Sequence, residues 1–286
     1  MIQDIAPHHL YNAWQPDKHA RPGDFIICVQ DGRLLVEKTA DGLRFPRRQS
    51  LPAALAERFL FSLDEEDFYL TFASITEGDG RRYCTLRELR QRMSEAHAFM
   101  YVAYTAYHLA AWYADNRFCG RCGARTEHEE AERALRCTGC GRIIYPQLVP
   151  AVIVGVIDGD RILLTKYANR QMSFYALIAG FTEIGETLEE CVAREVMEEV
   201  GLRVKNLRYY KSQPWGSARD ILMGFYCDVD GATDIRLQED ELKEGIWVRR
   251  EDIEGQSDDF SLTHEMMMVF KAVSYTHLTL PTNSLV

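Results

Sequence analysis

The chain has 286 residues, of which 47% are hydrophobic and 27% are charged, a composition typical of soluble globular proteins. Its formal net charge of −10 argues against a broad surface for nucleic acid or for an anionic membrane. No apolar run is long enough for a membrane span, and the N-terminus lacks the basic start and apolar core that we expect of a signal peptide.

The eight cysteines indicate the compartment. Four are bunched within 22 positions and the others are scattered singly among apolar neighbours, which is not the pattern of a disulfide framework. Because reduced thiols persist in a reducing environment, we expect a cytoplasmic protein.

The N-terminal part of the chain predicts strands followed by helices. Residues 24–38 form two apolar runs around Asp31-Gly32, a dipeptide that favours a tight hairpin turn. Residues 69–86 predict a second hairpin or strand pair, closed by the glycine-rich turn at 78–80. A capping box at 85–88 then precedes a short helix, and a longer apolar helix is predicted from about Ser94 to Ala114.

Two Cys-x-x-Cys pairs follow, Cys119 with Cys122 and Cys137 with Cys140, with 14 residues between the pairs. Each pair predicts a short turn that directs two thiolates at one ion. Four sulfur ligands at this spacing favour a tetrahedral structural Zn²⁺ site over four free buried thiols. Zinc ribbons also bind nucleic acid, but the four glutamates between positions 127 and 132 argue against that role.

The segment after the cysteines, "AVIVGVIDGDRILLTK" at 151–166, repeats the pattern of residues 24–38. Both segments have an apolar strand, an Asp-Gly turn, an arginine, a second apolar strand and a lysine. The repeat suggests a duplicated α/β module whose first copy is degenerate, although two unrelated hairpins would give the same pattern.

The stretch from Gly180 to Leu202 holds seven carboxylates, all of them glutamate. A helix from about Leu188 to Val200 places Glu195, Glu198 and Glu199 at i, i+3 and i+4 on one face. Like charges at this spacing repel, so the cluster favours a site for hard cations such as Mg²⁺ or Mn²⁺ over a solvated acidic face.

The same stretch contains the signals that begin and end the helix. Thr187 and Glu190 form a capping box, and Gly201 is placed to terminate the helix. Arg194 is positioned to pair with Glu186 or with another glutamate and so to hold the preceding loop.

These residues match a family signature, G-x5-E-x7-R-E-U-x-E-E-x-G-U, in which U is a bulky aliphatic residue. Every fixed position is present, namely Gly180, Glu186, Arg194, Glu195, Val196, Glu198, Glu199, Gly201 and Leu202. The chain therefore resembles the Nudix hydrolases. Its order of parts, with a four-cysteine ribbon before the signature and "SQPW" after it, is similar to the NADH pyrophosphatases over roughly residues 20–270.

The resemblance implies a fold and a division into domains. We expect an α/β (α+β) protein with a degenerate Nudix-like module at 1–114 and a zinc ribbon at 115–146. A catalytic Nudix domain, an α/β/α sandwich with a mixed sheet, is expected at 147–273. Residues 274–286, "SYTHLTLPTNSLV", continue no pattern and are expected to be a disordered or non-native tail.

The resemblance also implies the residues of the site. The catalytic Mg²⁺ or Mn²⁺ ions are expected on the backbone of Ala179 and on Glu195, Glu198, Glu199 and Glu241, with Glu198 or Glu199 as the general base. The expected substrate contacts are Tyr145, Gln213, Pro214, Trp215, Gly216, Ser217, Ala218, Arg219, Asp220 and Thr263.

The chain departs from the family in the loop after "SQPW". Relatives usually continue with Pro-Phe-Pro or a related apolar stretch, whereas this chain has "GSARD" at 216–220, which loses an aromatic ring and gains a charge pair. Trp215 remains as a candidate for stacking on a base or nicotinamide ring.

The function implied by the resemblance is metal-dependent hydrolysis of NAD(H) to nicotinamide mononucleotide and AMP. NAD-capped RNA 5′ ends are a related substrate, a homodimer is expected, and no membrane association is expected. One alternative is a Nudix diphosphatase for another conjugate such as ADP-ribose. An alternative of another class is a non-catalytic nucleotide sensor, although a sensor is expected to lose signature carboxylates and this chain retains them all.

Overall fold

The computed structural model describes residues 1–40, 42–93, 96–168, 174–238, 240 and 242–272. The chain divides into two compact units. One unit contains Met1, residues 149–214 and the residues from 220 onward, and the other contains residues 2–148 and 215–219. The predicted domain boundaries at 114 and 146 stay predictions, and the predicted tail at 274–286 lies outside the described residues.

The unit of residues 2–148 is built on a mixed sheet with two helices. The described strands pair in the order β1-β5-β6-β2-β3-β4, and β7 pairs with β3. Their bounds are β1 Leu10–Tyr11, β2 Phe25–Gln30, β3 Arg33–Thr39, β4 Gly42–Arg44, β5 Arg58–Leu63, β6 Glu66–Thr71 and β7 Arg81–Cys84, followed by helices α1 Leu86–Arg92 and α2 His97–Asp115.

The turn predicted at 78–80 is present, since Gly78 and Arg81 exchange backbone hydrogen bonds, but the predicted pairing of the strands on either side of it is wrong. Strand β6 pairs with β5 and β2, whereas β7 pairs with β3, so the two strands share a sheet without being neighbours. The hairpin in this region instead joins β5 to β6, with Leu63 opposite Glu66. Its turn contains Asp64 at φ 52°, a conformation that aspartate tolerates, and the absence of glycine there hid the turn from the sequence.

The cysteine insert forms a small three-stranded sheet in the order β10-β9-β8. Its strands are β8 Thr126–His128, β9 Leu135–Cys137 and β10 Ile143–Ile144. These short strands carry the turns in which the cysteines lie.

The unit that begins at residue 149 is a sandwich of two helices around a mixed sheet. The strand order is β14-β15-β11-β12-β16, with β13 paired to β11. The elements are β11 Val149–Asp158, β12 Arg161–Tyr167, β13 Ile178–Phe181, α3 Leu188–Val200, β14 Val204–Trp215, β15 Asp220–Val229, β16 Leu242–Arg249 and α4 Leu262–Ala272.

Alternation along β11 separates the two layers of this sandwich. Its even-numbered residues 152, 154 and 156 are buried with the valines of α3, whereas Ile153 and Ile157 are buried with Met266 and Phe270 of α4. Because successive side chains of a strand point to opposite faces, one strand supplies both cores. This arrangement confirms the expected α/β/α sandwich with a mixed sheet.

The two sheets share the arrangement that the sequence repeat suggested. In each, the first hairpin strand pairs antiparallel with the next strand and parallel with a later one, β2 with β6 and β11 with β15. The turns differ in detail: Asp31 and Gly32 both have positive φ, whereas the second turn is Gly159-Asp160, one residue later than the Asp-Gly dipeptide predicts. No helix among the described residues is long and apolar enough to cross a membrane.

Candidate active site and metal centre

Helix α3 has the bounds that the sequence predicts because both of its ends are capped. The Thr187 hydroxyl accepts a hydrogen bond from the Glu190 backbone, and the Glu190 carboxylate accepts one from the Thr187 backbone. At the other end, Gly201 adopts the left-handed conformation at φ 69° and its N–H bonds to the Met197 carbonyl. Val192, Val196 and Val200 are fully buried on one side of the helix, so the glutamate face is fixed relative to the sheet.

Glu195 lies directly against strand β13 at Gly180. A Cβ atom placed at position 180 would lie 1.9 Å from the Glu195 carboxyl carbon, so no other residue fits there without moving the carboxylate. Glu195 is 9% exposed, and Ala179 is the residue of β13 that precedes Gly180. Gly180, the glycine of the signature, therefore allows the Glu195 carboxylate to lie beside the backbone carbonyl oxygens of strand β13.

Arg194 joins the glutamates to the loop before the helix. Its guanidinium donates to both Glu186 oxygens at 2.8 and 2.9 Å, and to Glu195 and Glu198 at 2.8 and 3.0 Å. It also donates to the Phe181 carbonyl at 2.9 Å. The bonds from Arg194 lower the pKa of Glu186 to about 2, so this carboxylate remains charged at any physiological pH.

The three glutamates of the helix face differ in exposure. Glu199 is 1% exposed, whereas the Glu198 side chain is 53% exposed. The Arg194 guanidinium compensates the Glu195 charge, and both Glu195 and Glu199 offer the carboxylate oxygens that a hard cation prefers. Glu198 remains in contact with water, and Glu189, earlier on the helix, is also exposed.

The glutamate face is not assembled into a compact ligand cluster by itself. Among the described residues, the four cysteines form the one group of three or more acidic, histidine or cysteine side chains whose ligand atoms all lie within 4.8 Å of one another. The described glutamates do not form such a group. Arg194 holds Glu195 and Glu198 from one side, and Glu241 lies outside the described residues. The donor chemistry nevertheless fits Mg²⁺ or Mn²⁺, since all the candidate ligands are carboxylate or carbonyl oxygens.

The other predicted substrate residues have varied surroundings. Tyr145 is 54% exposed and donates to Glu132 at 2.7 Å, and Thr263 is half-buried in α4. Gln213 is fully buried, with its amide donating to the Phe260 carbonyl and accepting from the Leu262 backbone, both at 2.7 Å. Gln213 therefore holds the start of α4, a structural role that the sequence did not indicate because its partners lie nearly 50 positions away.

The turn after Pro214 also contains predicted substrate residues. Trp215 and Pro214 are half-buried, Gly216 is buried, and Ser217 and Ala218 are exposed. Phe181, which no fixed signature position marks, is a further candidate because its ring is 52% exposed immediately after Gly180.

Asp220, the first residue of β15, is a buried acid. It is 5% exposed, and its Oδ1 atom accepts no hydrogen bond from the described residues. Burial raises the pKa of its carboxyl from 3.8 to about 6. The expected charge pair of Arg219 with Asp220 is replaced by an ion pair between Arg219 and Asp115.

The four cysteines come together as the sequence predicts. The Sγ atoms of Cys119 and Cys140 lie 3.8 Å apart, those of Cys122 and Cys137 lie 3.4 Å apart, and all four fall within 4.8 Å of one another. Zn–S bonds of about 2.3 Å at tetrahedral angles place sulfurs about 3.8 Å apart, so the spacing fits Zn²⁺.

The backbone around the cysteines supports thiolates. The N–H groups of Gly139 and Cys140 point at the Cys137 sulfur at 3.4 Å. The bond from Cys140 is the main cause that lowers the Cys137 pKa to about 6. In each pair the residue after the second cysteine, Gly123 or Gly141, turns back at positive φ and bonds to the carbonyl of the first. The chain therefore forms two equivalent metal-binding turns.

We expect about one tightly bound Zn²⁺ per chain, and we expect Cys119→Ser to lose the ion and to lower the melting temperature, because ligation is coupled to folding. Elemental analysis after gel filtration in a weak chelator, together with thermal melting, measures both. Cys84→Ala, at a buried cysteine outside the cluster, is the control and should retain zinc. A folded, metal-replete parent without zinc would contradict the assignment.

We expect Asp220→Asn to stabilise the protein at pH 7.5 by roughly 1–3 kcal/mol and to have little effect near pH 4. A carboxyl pKa raised in the folded state makes the folded protein bind its proton more tightly, so stability falls as pH rises through about 4 to 6. Urea unfolding at both pH values measures the change. The exposed Asp160→Asn is the control, and an equal stability difference at both pH values would contradict the prediction.

Two family models match the chain. Residues 147–267 match the NUDIX domain, and residues 114–145 match the NADH pyrophosphatase zinc ribbon domain. The first match contains the glutamate helix and the sandwich, and the second contains all four cysteines.

Similar proteins include three bacterial relatives. The chain is 36% identical over 242 residues to the NAD-capped RNA hydrolase NudC of Pseudomonas aeruginosa (strain LESB58), an alignment that covers 82% of this chain and 84% of that protein. It is 34% identical over 263 residues to NudC of Pseudomonas fluorescens (strain Pf0-1), covering 90% and 93%. It is 40% identical over 165 residues to NudC of an Enterobacter species (strain 638), covering 58% and 64%.

The alignments with the two Pseudomonas relatives exceed 30% identity and cover most of each protein. The resemblance inferred from the signature and from the order of parts is thereby confirmed. The chain belongs to the Nudix hydrolase family, in the group that carries an NADH pyrophosphatase zinc ribbon.

Proposed function

We propose that the protein hydrolyses the central diphosphate of NAD(H), releasing nicotinamide mononucleotide and AMP, and that NAD-capped RNA 5′ ends are a second substrate. The observation that carries this proposal is that one chain contains both a complete glutamate signature and a zinc ribbon. Arg194 holds the glutamates of the signature through ion pairs. Relatives named as NAD-capped RNA hydrolases align with most of this chain and support the same substrate class.

Glu195, Glu198, Glu199 and Glu241, with the Ala179 carbonyl, would hold the catalytic Mg²⁺ or Mn²⁺. When bound, these ions neutralise the diphosphate charge and lower the pKa of the attacking water. The neutralisation matters here because the protein carries a net charge of −10 and would otherwise repel the substrate.

The chain's own residues divide the remaining work. Arg194 fixes Glu195 and the loop at Glu186 in one position relative to each other. The exposures favour Glu198 as the general base, because it meets solvent and can pass a proton on, and favour the buried Glu199 as a ligand. The zinc centre has four cysteine ligands and no open position, which supports a structural role.

One observation favours a second candidate function. The turn at 216–220 lacks the aromatic-bearing stretch that is usual in NADH pyrophosphatases, so a Nudix diphosphatase acting on another conjugate, such as ADP-ribose, is the alternative. Both candidates need the same glutamates and the same ions. They differ in which group occupies the subsite beyond the diphosphate.

We also propose that the protein works in the cytoplasm as a homodimer. The cysteines support a reducing compartment, since none of the eight forms a disulfide in the structure. Light scattering coupled to gel filtration tests the dimer, and a monomer mass at working concentration would refute it.

The decisive experiment incubates the protein with NADH, NAD⁺, ADP-ribose and an NAD-capped RNA in Mg²⁺ or Mn²⁺ and identifies the products. We expect nicotinamide mononucleotide and AMP from the dinucleotides, with a higher kcat/KM for NADH than for ADP-ribose. Preference for ADP-ribose would retain the diphosphatase and reject the NAD(H) assignment. Binding without turnover of any conjugate would instead support a sensor.

We expect Glu199→Gln to lower kcat by orders of magnitude, because the amide removes a negative charge from the metal site while conserving side-chain size. The melting temperature should hold or rise, since repulsion between neighbouring carboxylates is relieved. Steady-state kinetics across Mg²⁺ concentrations, with melting curves, measures both effects. Glu189→Gln, on the same helix but exposed, is the matched control and should remain near parental activity.

A further inference from the structure

The turn at residues 216–219 is attached to helix α2 by contacts that its unusual sequence makes possible. These residues and Trp215 belong to the same compact unit as α1 and α2. Three kinds of contact hold them there, namely a close backbone approach, an aromatic contact and an ion pair.

The close approach occurs at Gly216. A Cβ atom at this position would lie 2.1 Å from the Tyr104 carbonyl oxygen and 2.8 Å from its carbonyl carbon. Both atoms are backbone of α2, which cannot yield as a flexible side chain can. Glycine is therefore required for this packing.

The ring of Trp215 is already engaged within this unit. Its centroid lies 5.0 Å from that of Tyr104, with the planes tilted by 55°, and the Arg90 guanidinium lies 5.3 Å from the indole centroid. Aromatic and cation–π contacts of this geometry stabilise the ring in one position. Trp215 thus packs against protein groups at both of these contacts.

Arg219 closes the turn. The Ala218 N–H bonds to the Trp215 carbonyl at 3.2 Å, and Arg219 follows at φ 66°, a conformation that arginine rarely adopts. Its guanidinium forms an ion pair with Asp115, the last residue of α2. A strained backbone persists only where surrounding contacts hold it, and this ion pair is such a contact.

We infer that Trp215, Gly216 and Arg219 form a latch on helix α2, defined by their contacts with Tyr104 and Asp115. In this latch Trp215 is a positioning residue that sets the turn at residues 216–219 and, through that turn, the binding of NADH. The effect on NADH binding rests on the proposed function, whereas the latch itself does not.

The ion pair and the close backbone approach differ in strength, so we expect their removal to change hydrogen exchange by different amounts. Asp115 and Arg219 have side chains that are 54% and 43% exposed, so removing either should raise amide hydrogen exchange at 215–220 by only about two- to fivefold. Gly216→Ala should raise it by about tenfold or more, because the added methyl collides with backbone.

Hydrogen exchange measured by mass spectrometry tests the latch without any substrate. Gly23→Ala adds the same methyl where no atom lies within 4 Å, and Lys205→Ala breaks an ion pair of similar exposure with Asp230; neither should change exchange at 215–220. The double variant Arg219→Ala/Asp115→Ala should match the single variants, and the swapped pair Arg219→Asp/Asp115→Arg should restore protection. Parental exchange in Gly216→Ala, or a swap that restores nothing, would overturn the latch.

Kinetics separates positioning from direct stacking on substrate. If Trp215 positions the turn, Trp215→Ala and Gly216→Ala should each raise KM for NADH about tenfold with kcat largely retained, and the double variant should be no worse than either. Additive losses would overturn the positioning role and assign Trp215 to stacking. If the protein does not hydrolyse NADH, the proposed function fails, while the exchange measurements still decide the latch.

Discussion

The arrangement of the glutamate helix depends on the ion-pair network of Arg194. The carboxylates of Glu186, Glu195, Glu198 and Glu199 lie close together in sequence or space. Without a cation, their repulsion would unfold the loop at Glu186 or turn the side chains into solvent. One guanidinium contacts Glu186, Glu195 and Glu198 and the Phe181 carbonyl, so loop, helix and strand β13 are held as one piece. The chain itself thereby fixes the backbone segments around the site, and a divalent ion would then bring the carboxylates together.

A second constraint is steric. The Glu195 carboxylate reaches strand β13 only because position 180 has no side chain, and the same principle recurs at Gly216 against helix α2. At Gly180 a Cβ would displace the end of the Glu195 side chain, whereas at Gly216 it would meet the backbone of α2, which cannot yield. Gly216 is therefore the more restrictive of the two glycines.

The protein separates two kinds of metal chemistry by the donors it offers. Soft thiolates, held by two matching turns, form a closed set that suits zinc and structure. Hard carboxylates on α3, with different exposures, suit ions that exchange and act on a diphosphate. The thiolates are brought together by turns local in sequence, whereas the carboxylates need the helix, strand and loop of the sandwich.

The sequence by itself determined the features that depend on near neighbours. The capping box and Gly201 set the bounds of α3, the Cys-x-x-Cys spacing set the metal-binding turns, and the signature identified the family, because each pattern lies within a few helical turns or one short insert. Only the tertiary structure decided the pairing of β6 and β7 with different neighbours, the hold of Gln213 on α4 and the ion pair of Arg219 with Asp115. These contacts join residues that are tens of positions apart or more. The local periodicity and spacing of a sequence do not indicate which distant backbone group or charge lies beside a given residue in the fold.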